Sequence, residues 1–166
     1  MKVLGEGAFS KVLQGCSRGK PHERFAVKCL NRAQIQQDAD GYADLVREKE
    51  ILMEVNHPGV IKCYDFIEDG VNSMYWMVLE IVDGGELFDR IQEKITYNEH
   101  EARGTCLVIL DILAYLHDRG IAHRDLKAEN LLLKSSSSDS EVKLCDFGFA
   151  TKTTGEDLDQ QCGTPE

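Results

Sequence analysis

The stretch that most constrains this chain runs from His123 to Asn130 and reads His-Arg-Asp-Leu-Lys-Ala-Glu-Asn. An apolar, helix-like run precedes it, and three leucines, Leu131–Leu133, follow it. Buried neighbours on both sides of so polar a turn fix its backbone, so its side chains can be aimed at a ligand. A second acid, in Asp146-Phe147-Gly148, follows another strand-like run. The sequence therefore predicts a site built from these two polar turns.

Charge and composition narrow the class of partner. The chain has 19 basic and 29 acidic side chains, a formal net charge of −10. This balance argues against nucleic acid or an anionic membrane as the main partner and mildly favours basic substrates. No apolar run approaches the length of a membrane span, and the N-terminus lacks the apolar core of a signal peptide. The six scattered cysteines include no C-x-x-C pair, which predicts reduced thiols in a cytoplasmic protein, with a nuclear location also open.

Two glycines near the N-terminus lie between strand-like segments. Gly5 and Gly7 are two residues apart, and a backbone without side chains there can approach a phosphate closely while its N–H groups donate to the oxygens. Such a pair alone is weak evidence, because most Gly-x-Gly pairs are simply turns.

A lysine and a glutamate are predicted to pair. Residues 24–30 alternate as in a strand, which puts Lys28 on the same face as Ala26 and Leu30. Residues 43–55 predict an amphipathic helix, and Glu48 lies within its apolar stripe. A buried carboxylate is costly without a partner, and Lys28 is the obvious candidate. The alternative for Lys28 is an edge lysine that extends its charge into water. The stripe comprises Leu45, Ile51, Leu52 and Val55.

The remaining segments alternate between strands, loops and helices. We expect a structural loop histidine at His57, strands over residues 60–67 and 74–82, a short helix over residues 86–94 and a helix cap at Asn98. The run over residues 105–116 is apolar almost all round, which is typical of a helix covered on both faces. Residues 134–140 predict a polar hairpin.

Taken together, these motifs resemble those of protein kinases, which carry a Gly-rich loop, a strand lysine, a helix glutamate, H-R-D-L-x-x-x-N and D-F-G in this order. The resemblance spans nearly the whole chain, although Ser10 replaces the third glycine of the loop and Cys63 replaces a larger apolar residue. It implies an α+β, bilobal protein-kinase-like fold. Residues 1–82 would form a complete N-lobe, an antiparallel sheet plus one helix, with the Gly-rich loop and hinge. Residues 83–166 would form a partial, mainly helical C-lobe with the catalytic loop and activation segment, since the chain stops before the family's A-P-E motif.

The resemblance also implies the cofactors ATP and Mg²⁺ and a role for each motif residue. Asp125 would take the proton of the substrate hydroxyl, and Lys127 would contact the γ-phosphate. Asn130 and Asp146 would bind the metal, and Lys28, paired with Glu48, would contact the α- and β-phosphates. The residues expected against ATP are Leu4, Gly5, Gly7, Ser10, Val12, Ala26, Lys28, Leu79, Glu80, Val82 and Leu132.

Within that family the chain is most similar to calcium/calmodulin-dependent and AMP-activated-type Ser/Thr kinases. The similarity rests on residues 5–10, Leu126-Lys127-Ala128-Glu129-Asn130 and residues 146–150. It implies protein substrates with basic residues upstream of the phosphoacceptor, bound through Glu86, Glu129 and Thr164. Calmodulin is expected only through a region not present in this chain.

The activation segment departs from the family pattern. Arg124 would bind an anion there, normally a phosphothreonine, but Gln160 occupies the position where relatives often carry the activating threonine. We expect either a nearby acid or another modified threonine to supply the charge. The acids are Glu156, Asp157 and Asp159, and the threonines are Thr151, Thr153 and Thr154.

Two other functions compete with an active Ser/Thr kinase. One is a catalytically inactive, truncated kinase fragment that acts as a nucleotide-binding or interaction module, and the other is a small-molecule phosphotransferase of related fold. The second is disfavoured by Arg124 and Lys127 in the loop. Because the segment expected to cover one face of the helix over residues 105–116 is not in this chain, we also expect three or four apolar side chains to be exposed. The chain should then be poorly soluble or only partly ordered after about Asp83.

Overall fold

The computed structural model describes residues 2–7, 10–94, 96, 98–135, 138–153 and 162–163, without the side chains of residues 138–140. The chain divides into two compact units. The first consists of residues 1–53 and 62–81, and the second of residues 54–61 and 82–166.

An antiparallel sheet forms the first unit, as the resemblance implied. Its five strands among the described residues are ordered β1-β2-β3-β5-β4. The alternation seen in the sequence is the cause, since Ala26, Cys29 and Leu30 are buried within the long third strand. The strands are β1 Val3–Glu6, β2 Ser10–Ser17, β3 Lys20–Asn31, β4 Cys63–Asp69 and β5 Met74–Glu80.

Two helices connect β3 to β4. Helix α1, Arg32–Gln37, was not predicted; it begins because the Asn31 side chain accepts hydrogen bonds from two of its first N–H groups. Helix α2, Gly41–Glu54, confirms the predicted amphipathic helix, and its apolar stripe is buried. Leu45 joins the core cluster of the first unit, and burial of each such side chain contributes about 1.5–3 kcal/mol. The cluster is Leu30, Leu45, Tyr75 and Met77.

The second unit combines helices with short strands. Helix α4, Glu99–His117, begins with the predicted cap. The Asn98 side chain accepts from the N–H of Glu101, while the Glu101 carboxylate accepts from the N–H of Asn98. The two strands of the predicted polar hairpin are also present; they are antiparallel, and Ser135 pairs with Ser138. The elements are α3 Leu87–Glu93, α4 Glu99–His117, β6 Ile121–Ala122, a single 3₁₀ turn at Ala128–Asn130, β7 Leu131–Ser135, β8 Ser138–Leu144 and β9 Thr151–Lys152.

The loop before β4 differs from the sequence prediction. Residues 60–62 were predicted as strand and the whole of residues 1–82 as one lobe, yet β4 begins at Cys63 and residues 54–61 belong to the second unit. The reason is backbone pairing with the end of β8: the N–H of Leu144 donates to the Gly59 carbonyl at 2.8 Å, and the N–H of Ile61 donates to the Leu144 carbonyl at 2.9 Å.

Side chains also hold this loop against α4. The Tyr115 hydroxyl accepts from the N–H of Asn56 at 2.9 Å, and the His57 ring contacts the Tyr115 ring. His57 is therefore structural, as predicted: its Nδ1 accepts from the N–H of Gly59, and its Nε2 lies 3.2 Å from Asp111.

One face of α4 is buried and the other is open among the described residues. Thr105, Ile112 and Leu116 are buried, whereas Leu107 and Leu110 are 59% and 60% exposed. The expectation that apolar side chains of this helix would be exposed is confirmed for these two leucines. In the part of the chain that the structure describes, no helix is both long and apolar enough to cross a membrane.

Candidate functional site

The first unit contains a largely buried ion pair. Lys28 Nζ on β3 lies 2.6 Å from Glu48 Oε1 on α2, with 16% of the lysine side chain and 7% of the glutamate side chain exposed. Glu50 and Glu54, which the helical spacing places off the stripe, are exposed. The predicted pairing is therefore present, and it holds the Lys28 ammonium in one direction.

Strand register gathers several of the residues expected to contact ATP. Val12 pairs with Lys28, and Ala26 pairs with Leu79. The Gly-rich turn is closed by a hydrogen bond from the N–H of Gly7 to the Ser10 carbonyl at 2.8 Å. The first unit also holds Leu4, Gly5 and Glu80, whereas Val82 and Leu132 belong to the second.

The second unit presents a buried carboxylate held by two neighbours. The Asp125 side chain is only 5% exposed, and its Oδ2 lies 3.0 Å from Lys127 Nζ. Asn130 Nδ2 donates to the same oxygen at 3.0 Å and to the Asp125 carbonyl at 2.8 Å. These contacts fix the direction of the carboxylate and bring together three of the residues predicted to be catalytic.

The two candidate metal ligands, Asn130 and Asp146, are connected through Cys145. The N–H of Cys145, the residue before Asp146, donates to the Asn130 carbonyl at 2.9 Å. Asn130 uses its amide nitrogen for Asp125, which leaves its amide oxygen as the atom suited to a cation. Asp146 is exposed and has a positive φ of 58°, a conformation that L-residues rarely adopt. Amide and carboxylate oxygens are ligands that Mg²⁺ accepts, so the donor set fits the expected ion.

His123 is buried in contact with the backbone of these groups, and its environment favours the neutral ring. Burial lowers its pKa below the ordinary value of 6.5, although hydrogen bonds and the nearby Asp146 and Asp125 oppose the shift. Its Nε2 lies 3.1 Å from the Cys145 carbonyl, and its Nδ1 accepts from the N–H of Asp125. The ring also packs edge-on against Phe147. The histidine thus supports the backbone of both polar turns.

The two acids expected to bind a basic substrate are close enough to interact. Glu86 and Glu129 are exposed residues. Partial burial of the Glu86 carboxyl group still raises its pKa, and the charges of Asp89 and Glu129 add to this shift. Thr164, the third residue predicted to bind substrate, lies outside the described residues.

Arg124 contacts the backbone that follows Asp146-Phe147-Gly148. Its Nε donates to the Phe149 carbonyl at 2.7 Å, and its φ is +65°. Thr153 donates its hydroxyl to the Gly120 carbonyl at 3.1 Å. Four of the six residues expected to supply a charge to Arg124 fall outside the described part of the chain, as does Gln160: they are Thr154, Glu156, Asp157 and Asp159.

Two supporting residues were missed from the sequence. Cys145 contacts Asn130, and no sequence pattern indicates that contact. Gly84 could have been suspected from the Gly-Gly pair after β5, because its N–H donates to the Leu133 carbonyl, and a Cβ at this position would lie 2.1 Å from that oxygen.

Comparisons with known proteins identify a matching family and several relatives. The family described as "Protein kinase domain" matches residues 1–166. Among curated proteins, the chain is 42% identical over 98% of its length to myosin light chain kinase A of Dictyostelium discoideum and covers 54% of that protein. It is 34% and 39% identical, again over 98% of its length, to calcium/calmodulin-dependent protein kinase type 1 of Caenorhabditis elegans and type 1B of Rattus norvegicus, covering 45% and 46% of them. The chain thus spans about half the length of the curated relatives it matches.

Proposed function

Because this chain belongs to the protein kinase family, we propose that its protein transfers the γ-phosphate of ATP to serine or threonine hydroxyls of protein substrates. The chain supplies the phosphate-binding lysine, the catalytic loop and the metal-binding acid of that reaction. Similarity to curated kinases named for myosin light chain and for calcium and calmodulin supports the Ser/Thr class.

The observation that carries this proposal is the geometry of Asp125. A buried carboxylate with its direction fixed by Asn130 and Lys127 can accept a proton from a hydroxyl group, since proton transfer requires a base at hydrogen-bond distance. An acid that served only solubility would be exposed and would not receive the side-chain amide of a buried asparagine.

The other residues would position the phosphates. Lys28 would bind the α- and β-phosphates, with Glu48 orienting its ammonium group. Lys127 lies next to the base and would meet the γ-phosphate. Phosphoryl transfer depends mainly on such positioning and charge neutralisation. Bound Mg²⁺ would offset the charge of the phosphate oxygens, and Asn130 and Asp146 offer the oxygen ligands for it.

Substrate choice is proposed to favour basic residues. Glu86 and Glu129 are exposed acids whose charges interact, so a guanidinium group that bound near both would relieve their repulsion. The net charge of −10 adds a favourable field for cationic peptides, although salt screens it beyond about 8 Å.

Activation is proposed to act through Arg124. A guanidinium group has five N–H donors, and one of them binds the Phe149 carbonyl. An anion on the activation segment would bind through the remaining donors and hold that segment against the catalytic loop. Because phosphorylation of Thr153 would replace its hydroxyl bond to Gly120, we favour a nearby acid or a different threonine as the source of this charge.

Nucleotide binding and transfer, measured separately on the full-length protein, test the proposal. Titration calorimetry with ATP, with and without Mg²⁺, measures the first. Transfer of labelled phosphate to serine, threonine and tyrosine peptides measures the second. We expect Asp125→Asn to retain nucleotide binding and lose transfer, whereas Asp118→Asn, which removes an exposed carboxylate at the end of α4, should keep both.

Each competing function predicts a different result. Nucleotide binding without any peptide transfer by the wild-type protein would favour the inactive, truncated kinase fragment. Transfer to a small molecule and to no peptide would favour the related phosphotransferase.

A further inference from the structure

Cys145 makes two hydrogen bonds to one atom of the catalytic loop. Its backbone N–H donates to the Asn130 carbonyl at 2.9 Å, and its Sγ lies 3.3 Å from the same oxygen. A thiol is a weak donor, but here it adds to a bond that already joins the end of β8 to the start of β7. The side chain is thereby turned toward Asn130.

Asn130 transmits this constraint to the catalytic residues. It is buried, and its side-chain nitrogen binds both the carbonyl and the carboxylate of Asp125. The Cys145 carbonyl lies 3.1 Å from His123 Nε2, so the same cysteine contacts both ends of the catalytic loop. Asp146 is the next residue along the chain. Cys145 is consequently bonded to one candidate metal ligand and covalently attached to the other.

We propose that Cys145 is a positioning residue that sets the relative placement of the Asn130 and Asp146 oxygens through the contact of its thiol with the Asn130 carbonyl. This inference rests on the proposed function, because it presumes that those two oxygens bind a divalent cation together with a nucleotide. Residues that hold metal ligands in place commonly affect metal affinity by 10- to 100-fold. A thiol–carbonyl bond is weak, so the effect here should lie below that range.

Binding of Mn²⁺ in the presence of ADP, followed by electron paramagnetic resonance on the full-length protein, tests this placement without requiring turnover. We expect Cys145→Ala to weaken Mn²⁺ binding about fivefold, the size expected for loss of one hydrogen bond. Cys145→Ser keeps a donor and should restore affinity to within about twofold of wild type. Cys16→Ala, at an exposed cysteine in β2, is the matched control and should leave Mn²⁺ affinity unchanged.

A second variant separates positioning from folding. Cys145→Val keeps a side chain of similar volume without a donor, so it should weaken Mn²⁺ binding as Cys145→Ala does. Thermal denaturation of each variant shows independently whether it is folded. If the folded alanine or valine variant binds Mn²⁺ as tightly as wild type, the positioning role is overturned. If wild type itself binds no Mn²⁺ with ADP, the proposed function fails, and this inference fails with it.

Discussion

Lys28 Nζ and Glu48 Oε1 lie 2.6 Å apart, and both side chains are largely buried. A charge left in such a place without its partner is strongly destabilised. Lys28→Met and Glu48→Gln should therefore each lower kcat/KM for peptide phosphorylation by roughly 100-fold or more, about 2.7 kcal/mol in the activation barrier. The double variant should lose little beyond either single variant, because the two residues act as a unit.

Steady-state kinetics of the four proteins in this cycle check the coupling. Glu50→Gln is the matched control, since Glu50 is an exposed acid on the same helix, and we expect it to retain activity within about twofold, as is usual for surface substitutions. Multiplicative losses in the double variant would show that the lysine and the glutamate act independently.

The neutral state of His123 predicts a pH dependence of stability. Burial lowers its pKa in the folded protein below 6.5, so the unfolded chain binds a proton at higher pH than the folded chain does. This contribution to stability is complete above pH 6.5 and is lost as the pH falls from there toward the folded pKa. Urea denaturation at pH 7.5 and 5.5 should give a smaller loss on acidification for His123→Gln than for wild type. Equal losses of unfolding free energy in the two proteins would contradict a contribution from His123.

The raised pKa of Glu86 predicts a pH effect on substrate affinity. Because burial and the charges of Asp89 and Glu129 raise this pKa, Glu86 should become protonated at a higher pH than an ordinary carboxyl group. As the pH is lowered, the KM for a peptide with an upstream arginine should accordingly begin to rise at a higher pH than the titration of an ordinary carboxyl group would cause. Glu86→Gln should have a raised KM that depends less on pH, and a peptide with alanine in place of arginine should show neither effect.

Gly84 predicts a steric requirement at the start of the second unit. A Cβ at this position would lie 2.1 Å from the Leu133 carbonyl oxygen, a distance that no neighbour can accommodate without backbone movement. We expect Gly84→Ala to lower the free energy of unfolding by about 1–3 kcal/mol. Gly70→Ala is a suitable comparison, because a Cβ there has no neighbour within 4 Å. Chemical denaturation measures both, and similar values for the two variants would argue against the steric requirement.

The open face of α4 predicts association of the polypeptide when residues 1–166 are expressed alone. Leu107 and Leu110 are each more than half exposed, and neighbouring apolar side chains in water favour contact between molecules. Replacing both leucines with glutamate should raise the concentration at which the protein remains monodisperse in light scattering. Met53→Glu, at an exposed position on α2, is the control and should raise this concentration less.

Patterns of alternation and helical spacing were sufficient to predict the elements that hold Lys28, the lysine proposed to bind phosphate. Lys28 could be placed on a strand face, and Glu48 on a buried helical stripe, because each position depends on neighbours within a few residues. The cap at Asn98 is similarly local. Helix α1 was missed although Asn31 carried a cap signal, since a helix of six residues has too few positions to show a period.

Contacts between distant segments could not be predicted in the same way. Residues 59–61 join β8 through backbone hydrogen bonds that any sequence could make, so no side-chain pattern indicates that they leave the first unit. The sequence also gives no indication of the Cys145 thiol contact, because the partner of the thiol is a backbone atom. The direction of Arg124 toward Phe149 depends on a positive φ that the sequence does not reveal.

Arg124 and Asp146 both have a left-handed backbone, at φ values of 65° and 58°, which glycine adopts at little cost and other residues adopt at a cost of about 1 kcal/mol or more. Glycine at position 146 would avoid this backbone cost, but it would remove the carboxylate that is proposed to bind the metal. Stability and the proposed catalysis therefore make opposite demands on this residue. Asp146→Gly should accordingly melt at a higher temperature than the wild-type protein while losing phosphoryl transfer.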